Sequence, residues 1–375
     1  MQLNEPEIFY PLKVFVCSKC YLVQVDEYKK SDKIFDSDYA YFSSYSSSWL
    51  KHAKNYVDMM TNKLFLDENS LVIEVASNDG YLLQYFKEKK IPCLGIEPST
   101  STAKVAKDKG ISVIEDFFDT SLAYTLEKAD LILGNNVLAH VPNINDFVRG
   151  LQVVLKENGS ITMEFPHLLN LIKYNQFDTV YHEHFSYLSF YAVQEIFKLQ
   201  GLKIYDVEKL STHGGSLRIY ATHRNNGKID LTTNVQNILD EENKFGLFDM
   251  ELYKGFQKKA NKVKYELIEF LLKAKNENKK VIAYGAAAKG NTLLNYAGIK
   301  SDLIEFVVDK SPHKQEKYLP ASHIPIVDEN EIEKCKPDYI LILPWNIKDE
   351  VISQLKYVKG WGCKFVVSVP KLEIF

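Results

Sequence analysis

The sequence predicts an α/β protein built from two Rossmann-like units, and two observations lead to this fold class. From Leu71 onward, short apolar runs alternate with amphipathic segments at the spacing of βαβ units, which is typical of a mostly parallel sheet. The same alternation starts again at Lys280. A chain of 375 residues is long enough for two or three domains. The predicted domains are residues 1–66, 67–225 and 226–375.

Composition narrows the class of protein. Hydrophobic residues make up 46% of the chain and charged residues 25%, which is ordinary for a globular protein. The net charge of -3 offers no basic excess for nucleic acid, and no apolar run is long enough to predict a transmembrane helix. Five cysteines, an odd number, indicate a reducing compartment. Because the N-terminus also lacks a signal-peptide pattern, we expect a cytoplasmic protein without nucleic-acid or membrane partners. Nothing in the composition predicts an oligomeric state.

The first seventy residues contain a Cys-x-x-Cys pair and a segment rich in tyrosine and serine. Cys17 and Cys20 stand between two short predicted strands and supply half of the four ligands of a zinc site. Since the next cysteine, Cys93, falls inside the α/β region, reduced thiols in a β-turn are favoured over bound zinc. The Tyr/Ser segment, residues 38–48, is too aromatic for an ordinary linker, and we expect it to cover a site. An amphipathic helix is predicted from about Trp49 to Leu66.

The segment from Leu71 to Phe86 predicts a buried strand, a sharp turn and the start of a helix. Such a turn is where a doubly wound sheet binds a nucleotide-like ligand. A dinucleotide site would carry a glycine-rich loop for its pyrophosphate, but this segment has Glu74, Asp79 and one glycine. Carboxylates repel phosphate and suit a cationic ligand. S-adenosylmethionine (SAM) has a sulfonium and an ammonium group and no phosphate. The alternative is an ordinary strand-to-helix turn with a capping Asp.

Polar residues also follow each of the next three predicted strands. An acid after the second strand is placed to accept hydrogen bonds from ribose hydroxyls, and an Asp beside an aromatic ring after the third suits an adenine. The fourth predicted strand, Asp130 to Leu133, is followed by Gly134 and two asparagines. The predicted cofactor contacts are Glu74, Ser77, Asn78, Asp79, Gly80, Glu97, Pro98, Asp116, Phe117, Asn135 and Asn136.

These motifs, EVASNDG, GIEPS, EDFF and GNNVLAHV, resemble the motif series of class I SAM-dependent methyltransferases. Three more, YHEHFSYLS, HGGSLR and YGAAAKGN, are similar to those of the three-domain nucleotide-sugar C-methyltransferases, which install branch methyl groups on deoxysugars. The resemblance covers nearly the whole chain. It implies a class I methyltransferase Rossmann-like domain between a small N-terminal zinc-binding-like domain and a second, C-terminal Rossmann-like domain. That family holds zinc with two Cys-x-x-Cys pairs and this sequence shows one, so zinc is doubtful here.

Two interpretations of Tyr181-His182-Glu183-His184 follow from the residues alone. In an extended segment the two histidines share a face and could ligate a metal, but no third ligand is evident. Alternatively, one histidine is a general base supported by the carboxylate, which we favour over two surface histidines. The resemblance implies that His184 is the base, that Glu183 is its partner, and that the hydroxyls of Tyr181 and Tyr41 lie near the reacting carbon or the ketone oxygen.

A sugar carbon becomes nucleophilic only beside a ketone, because removal of the α-proton then gives an enolate. The resemblance therefore implies a nucleoside-diphosphate keto-deoxysugar as substrate. The predicted substrate contacts are Ser43, Ser44, His182, Arg218, Lys289 and Asn291. A methyltransferase acting on oxygen or nitrogen of a sugar nucleotide is an alternative that needs no enolate.

The turn from Gly285 to Gly290 permits an alternative to the methyltransferase interpretation, from another enzyme class. Alone it resembles a degraded dinucleotide fingerprint followed by an acid, Asp309, and suggests an NAD-dependent sugar-nucleotide oxidoreductase. However, the middle glycine of that fingerprint is Ala287, whose side chain obstructs close approach of a pyrophosphate. The sequence fits better with a turn in which Lys289 helps to hold the diphosphate of a nucleotide-sugar.

Overall fold

A computed structural model describes residues 2–35 and 41–375 of the protein. The part of the Tyr/Ser segment at 38–40 therefore lies outside the described residues, and its part from Tyr41 onward lies within them. In the described ranges, no helix combines the length and the apolar character needed to cross a membrane.

The chain folds as two compact units. The larger unit comprises residues 13–168 and 182–248, and the smaller one comprises the residues up to Leu12 together with 169–181 and 249–375. The predicted division at residues 66 and 225 stays a prediction.

The larger unit contains two sheets. Its strands, numbered in chain order, are β1 (Val14–Val16), β2 (Val23–Val25), β3 (Val72–Val75), β4 (Cys93–Ile96), β5 (Ser112–Ile114), β6 (Ala129–Asn135), β7 (Leu155–Pro166), β8 (Ser186–Tyr187), β9 (Leu202–Leu210) and β10 (Ser216–His223). Strands β1, β2 and β8 form a small antiparallel sheet, so the two strands predicted around the cysteine pair are confirmed.

The main sheet has the strand order β5-β4-β3-β6-β7-β10-β9, with β5 to β7 parallel and the last two strands antiparallel. The chain leaves β3 toward one side of the sheet and returns to add β6 on the other. The carboxyl ends of β3 and β6 therefore flank a topological switch point, where open α/β sheets bind ligands.

Helices cover both faces of this sheet. They are α1 (Ser47–Leu64), α2 (Leu83–Glu88), α3 (Thr100–Asp108), α4 (Thr120–Ala123), α5 (Ile144–Val154), α6 (Leu168–Lys173), α7 (Phe190–Leu199) and α8 (Thr233–Phe245), of which α6 leads into the smaller unit. Adjacent strand residues point to opposite faces. Accordingly, Ile73 and Ile132 pack in one buried cluster, whereas Val72 and Leu131 pack in the other.

The smaller unit has a sheet of its own. Its remaining helices are α9 (Met250–Asn276), α10 (Ala288–Ala297), α11 (Asn330–Cys335) and α12 (Lys348–Gln354), and its strands are β11 (Val281–Tyr284), β12 (Val307–Val308), β13 (Ile326–Val327), β14 (Tyr339–Ile342), β15 (Lys364–Val367) and β16 (Glu373–Ile374). The order is β13-β12-β11-β14-β15-β16, parallel except for β16. The second Rossmann-like unit predicted from residue 280 onward is therefore confirmed.

Candidate active site

The turn after β3 takes its shape from three residues with positive φ. Ala76 and Asn78 have φ values of 57° and 50°, and Gly80 has 73°. A Cβ atom on Gly80 would lie 2.4 Å from Cδ1 of Ile111 and 3.2 Å from Cβ of Ala106. Gly80 therefore allows the turn to pack closely against the helix and strand that follow β4.

Glu74 is a buried carboxyl at the end of β3. Its side chain is fully buried, and neither carboxylate oxygen has a hydrogen-bond partner in the described part of the chain. Burial raises the pKa of Glu74 well above its usual range; the nearby Tyr81 hydroxyl opposes this shift, and the charge of Asp79 adds to it. A buried carboxyl without a partner is costly unless a cation compensates it. This arrangement fits SAM better than it fits a phosphate-bearing cofactor.

Glu97 is also buried, but its carboxylate is already hydrogen-bonded. The backbone N–H of Asn78 donates to Oε2 at 2.9 Å, and that of Ser99 donates to Oε1 at 3.0 Å. Burial still raises the pKa of Glu97. Each oxygen retains a second lone pair, so the predicted acceptance of ribose hydroxyls remains chemically open to it. In this structure the carboxylate braces the turn after β3.

The side chains of Asn78 and Asp79 bind the Tyr/Ser segment. The backbone N–H of Ser43 donates to Oδ1 of Asn78 at 2.9 Å, and Nδ2 of Asn78 donates to the carbonyl of Tyr41 at 3.0 Å. The N–H of Ser44 donates to Oδ2 of Asp79 at 3.2 Å. Residues 41–44 of the Tyr/Ser segment thus lie against the turn after β3. Asn78 and Asp79, which are predicted cofactor contacts, use these side-chain atoms to bind protein backbone.

The other predicted cofactor contacts differ in their exposure and in their hydrogen-bond partners. Nδ2 of Asn135 donates to the Tyr81 hydroxyl at 3.1 Å, and the N–H of Asn136 donates to the Glu164 carbonyl at 2.7 Å. Asp116 is exposed and accepts the N–H of Phe117, whose side chain is 39% exposed. Two more atoms are buried without a partner among the described residues, Oγ of Ser77 and Oδ1 of Asn136, while Pro98 is half-buried.

Two histidines meet beyond the end of β6. The rings of His140 and His184 have centroids 4.6 Å apart and cross at 72°. The segment that carries His184 is fixed by backbone hydrogen bonds, because the N–H of Phe185 donates to the Ala139 carbonyl at 2.8 Å. His182 packs edge-on against Tyr28 at 6.2 Å, and burial raises the pKa of Glu183. Tyr181 is half-buried and belongs to the smaller unit.

His140 is a candidate that the sequence reasoning did not assign. Its Nδ1 lies 2.8 Å from the backbone carbonyl of Glu183. Burial lowers the pKa of His140 to about 4, against the opposing effect of this hydrogen bond, so the imidazole is neutral near pH 7. A carbonyl only accepts, so Nδ1 carries the proton and Nε2 carries a basic lone pair. The signal that could have found it is a histidine seven residues beyond the end of the fourth predicted strand.

Arg218 lies in a buried network within the main sheet. It is the cross-strand partner of Glu164 on β7 and of Glu208 on β9. Its Nη2 donates to Oε2 of Glu164 at 3.1 Å and its Nη1 donates to Oε1 of Glu208 at 2.6 Å. His52 and Thr212 also contact the Glu164 carboxylate. Strand register thus pairs the charge of Arg218 inside the unit, and its role as a substrate contact stays a prediction.

Lys289 and Asn291 lie at the start of α10 in the smaller unit. The Lys289 ammonium donates to Oδ1 of Asn346 at 2.6 Å and sits 4.7 Å from the ring centroid of Trp345. Burial raises the pKa of Asp178, which accepts the Trp345 indole N–H, to about 6, and the charge of Lys289 opposes this shift. Oδ1 of Asn291 is buried without a partner among the described residues. The group combines a cation, a carboxyl and an unpaired amide oxygen.

Cys17 and Cys20 form a tight turn between β1 and β2. The N–H of Tyr21, which has a φ of 55°, donates to the Cys17 carbonyl at 2.9 Å. Backbone hydrogen bonds from Cys20 and Lys19 lower the pKa of the Cys17 thiol, whereas burial raises that of Cys20. In the residues that the structure describes, no group of three or more His, Cys, Asp or Glu side chains is placed to hold a metal ion.

Three protein families match this chain. Residues 49–207 match the family described as "Methyltransferase domain", residues 211–370 match "C-methyltransferase C-terminal domain", and residues 1–35 match "Putative zinc binding domain". Zinc in structural sites takes four ligands. Cys17 and Cys20 supply two of them, so these residues do not make a complete zinc site by themselves.

Proteins similar to this chain include one known by its sequence and two solved structures. The chain is 32% identical over 372 residues to the C-methyltransferase NovU of Streptomyces niveus, which covers 98% of this chain and 88% of NovU. A SAM-dependent methyltransferase structure from Clostridium acetobutylicum is 12% identical, with a TM-score of 0.38 over 46% of this chain and 92% of that one. Magnesium protoporphyrin IX methyltransferase from Synechocystis, solved with SAM, is 17% identical, with a TM-score of 0.36 over 47% of this chain and 81% of that one. From its identity to NovU along almost its whole length, we conclude that this chain belongs to the SAM-dependent C-methyltransferases.

Proposed function

We propose that this C-methyltransferase acts on a nucleoside-diphosphate keto-deoxysugar and methylates the carbon next to the ketone through an enolate. The observation that carries the proposal is the pairing of His140 with His184 beyond the end of β6, beside the strand that carries Glu74. A C-methyltransferase must make a carbon nucleophilic. A base that removes a proton α to a ketone does so. The two imidazoles lie at the edge of the sheet where the turn after β3 and the loop after β6 are both found.

The base must be unprotonated and held in place. We assign the proton abstraction to His184, as the resemblance implies, with Glu183 as its partner. The neutral His140 lies against the His184 ring and is held through Nδ1 by the Glu183 carbonyl. Its Nε2 supplies a second basic site in the same cluster, which either accepts the proton or orients the imidazole that does. Tyr41 and Tyr181 are the hydroxyls assigned to the enolate oxygen.

The cofactor end of the site is acidic. SAM supplies a methyl group bonded to a sulfonium, which is electrophilic without activation. Glu74 provides a buried negative charge for the cationic part of SAM, and Glu97 braces the turn that the cofactor would contact. Residues Ser77 and Asn136 each offer a buried polar atom that lacks a partner among the described residues. These groups would bind and orient the cofactor without taking part in proton transfer.

The nucleotide end of the substrate is assigned to the smaller unit. Lys289 carries a positive charge at the start of α10, where backbone N–H groups also favour an anion. Asn291 adds an amide group on the same turn of helix. In the larger unit, Ser43, Ser44 and His182 remain the proposed sugar contacts. The proposal does not depend on Arg218, whose charge is already paired.

The direct test is mass spectrometry of the protein with SAM and a panel of thymidine-diphospho-4-keto-deoxysugars in deuterated water. A gain of one methyl group, placed on a carbon next to the ketone by NMR, supports the proposal and identifies the sugar. Deuterium uptake at that carbon without methylation would still support the base. A methyl group found on oxygen or nitrogen of the product would overturn the enolate mechanism.

Variants separate the base from the rest of the site. We expect His184→Asn to nearly abolish methyl transfer while leaving SAM affinity unchanged. His223→Asn is a matched control, because its Nε2 hydrogen-bonds the carbonyl of Leu155 at the amino end of β7, the opposite edge of the sheet. Unchanged turnover in His184→Asn would overturn the assignment of the base.

A further inference from the structure

A lysine outside the predicted site joins two parts of it. Lys109 follows the last residue of α3, and its Nζ donates to the backbone carbonyl of Asp79 at 2.7 Å and to Oγ of Ser44 at 2.9 Å. The same atom lies 3.9 Å from Oδ2 of Asp79. One ammonium group thus contacts both the cofactor turn and the Tyr/Ser segment.

The charge of this lysine has a specific partner. Asp79 is 1% exposed, and Oδ2 of its carboxylate accepts the N–H of Ser44. Two other buried carboxyls, Glu74 and Glu97, are close enough for their charges to interact with that of Asp79. A carboxylate buried in this poorly solvated region is costly unless a nearby cation offsets its charge. Lys109 is therefore the cation that lies beside the carboxylate that holds Ser44.

We propose that Lys109 is a positioning residue, which fixes residues 41–44 of the Tyr/Ser segment, and so Tyr41, against the turn after β3. This inference rests on the proposed function in one respect, that Tyr41 acts in methyl transfer. Asn78 and Asp79 supply the acceptors and donors along the segment, and Lys109 closes the connection at Ser44. A shift of this segment moves a reacting hydroxyl relative to the cofactor, which is enough to slow a reaction that depends on placement.

The test compares three variants by hydrogen exchange and by kinetics. In Lys109→Met, amide exchange at Ser43 and Ser44 should rise about tenfold, as expected for the loss of one charge-assisted hydrogen bond. The amide of Ile73 in β3 reports whether the fold is intact and should not change. Turnover at saturating SAM and sugar should fall about tenfold in the same variant.

The controls separate positioning from a general loss of stability. Lys104→Met removes the same ammonium from an exposed position on α3 and should behave as the wild type. Lys109→Arg keeps the charge and the donors, and should restore protection and most of the turnover. Unchanged exchange at Ser43 and Ser44 in Lys109→Met, or failure of the Arg variant to restore it, would overturn the proposal. Hydrogen exchange is measured on the protein without substrate. If the wild type fails to methylate the keto-sugars, the proposed function is refuted, and the exchange data still decide whether Lys109 fixes Ser43 and Ser44.

Discussion

The buried carboxyl of Glu74 should make SAM affinity depend on pH. Burial raises the pKa of Glu74 well above its usual range. A pKa raised by folding means that this carboxyl contributes most to stability at low pH, and that the contribution is lost as the pH rises through the raised value. A cation bound beside it favours the ionised form, so binding releases a proton. We expect SAM affinity to rise with pH by up to about tenfold per pH unit until the raised pKa is passed.

Glu74→Gln removes the charge and keeps the size of the side chain. Loss of one partner of a buried charge pair should weaken SAM binding by about 2 kcal/mol, or roughly 30-fold, at pH 8. The same variant should bind SAM with little dependence on pH. Without ligand it should be more stable than the wild type at pH 8, by about 1 kcal/mol, because folding then neither buries a charge nor takes up a proton to neutralise one.

Titration calorimetry in two buffers of different ionisation enthalpy measures both the affinity and the number of protons released. Glu127→Gln is the matched control, since Glu127 is exposed and precedes the amino end of β6, at the opposite edge of the sheet from the turn after β3. Equal affinity and equal proton release in the wild type and in Glu74→Gln would refute the reasoning.

Three further predictions test other parts of the larger unit. Because burial lowers the pKa of His140 to about 4, an acid limb of the pH–rate profile should lie near pH 4, and His140→Asn should lose that limb and lower kcat about 100-fold. Glu242 accepts the N–H groups at the start of α7 and contacts the buried His167 at 2.7 Å, so Glu242→Ala should lower the free energy of unfolding in urea by about 3 kcal/mol. Arg218→Met leaves Glu164 buried without this cation and should also lower the free energy of unfolding by about 3 kcal/mol. Unchanged stability together with a raised KM for the sugar would instead make Arg218 a substrate contact.

The ends of the strands can be predicted from the sequence because the pattern that marks them is local. Apolar runs followed by polar turns predict strands at Pro92 to Ile96 and at Ile111 to Ile114, and β4 and β5 each begin one residue later and end at the predicted residue. The fourth predicted strand, Asp130 to Leu133, is longer than expected, since β6 continues to Asn135. Asn135 therefore reaches Tyr81 from a strand and not from a loop.

The contacts of individual side chains could not be predicted from the sequence, because they involve residues that are distant along the chain. Asn78 stays a predicted cofactor contact, but its φ of 50° is not signalled by a glycine, and its side chain also contacts a segment 35 residues earlier. The role of Arg218 as a substrate contact also stays a prediction, whereas its position between Glu164 and Glu208 is set by strand register. No local pattern in the sequence reports a register.

The position of the Glu74 charge relative to SAM has a kinetic consequence that can be measured. Transfer of the methyl group removes the sulfonium charge, whereas the ammonium group is present in both SAM and its product, S-adenosylhomocysteine. A carboxylate beside the sulfonium would stabilise the reactant more than the transition state, where that positive charge is already dispersed, and would slow the reaction. We therefore expect Glu74 to face the ammonium group. Binding of S-adenosylhomocysteine should then release as many protons as binding of SAM, and release by SAM alone would place Glu74 at the sulfonium.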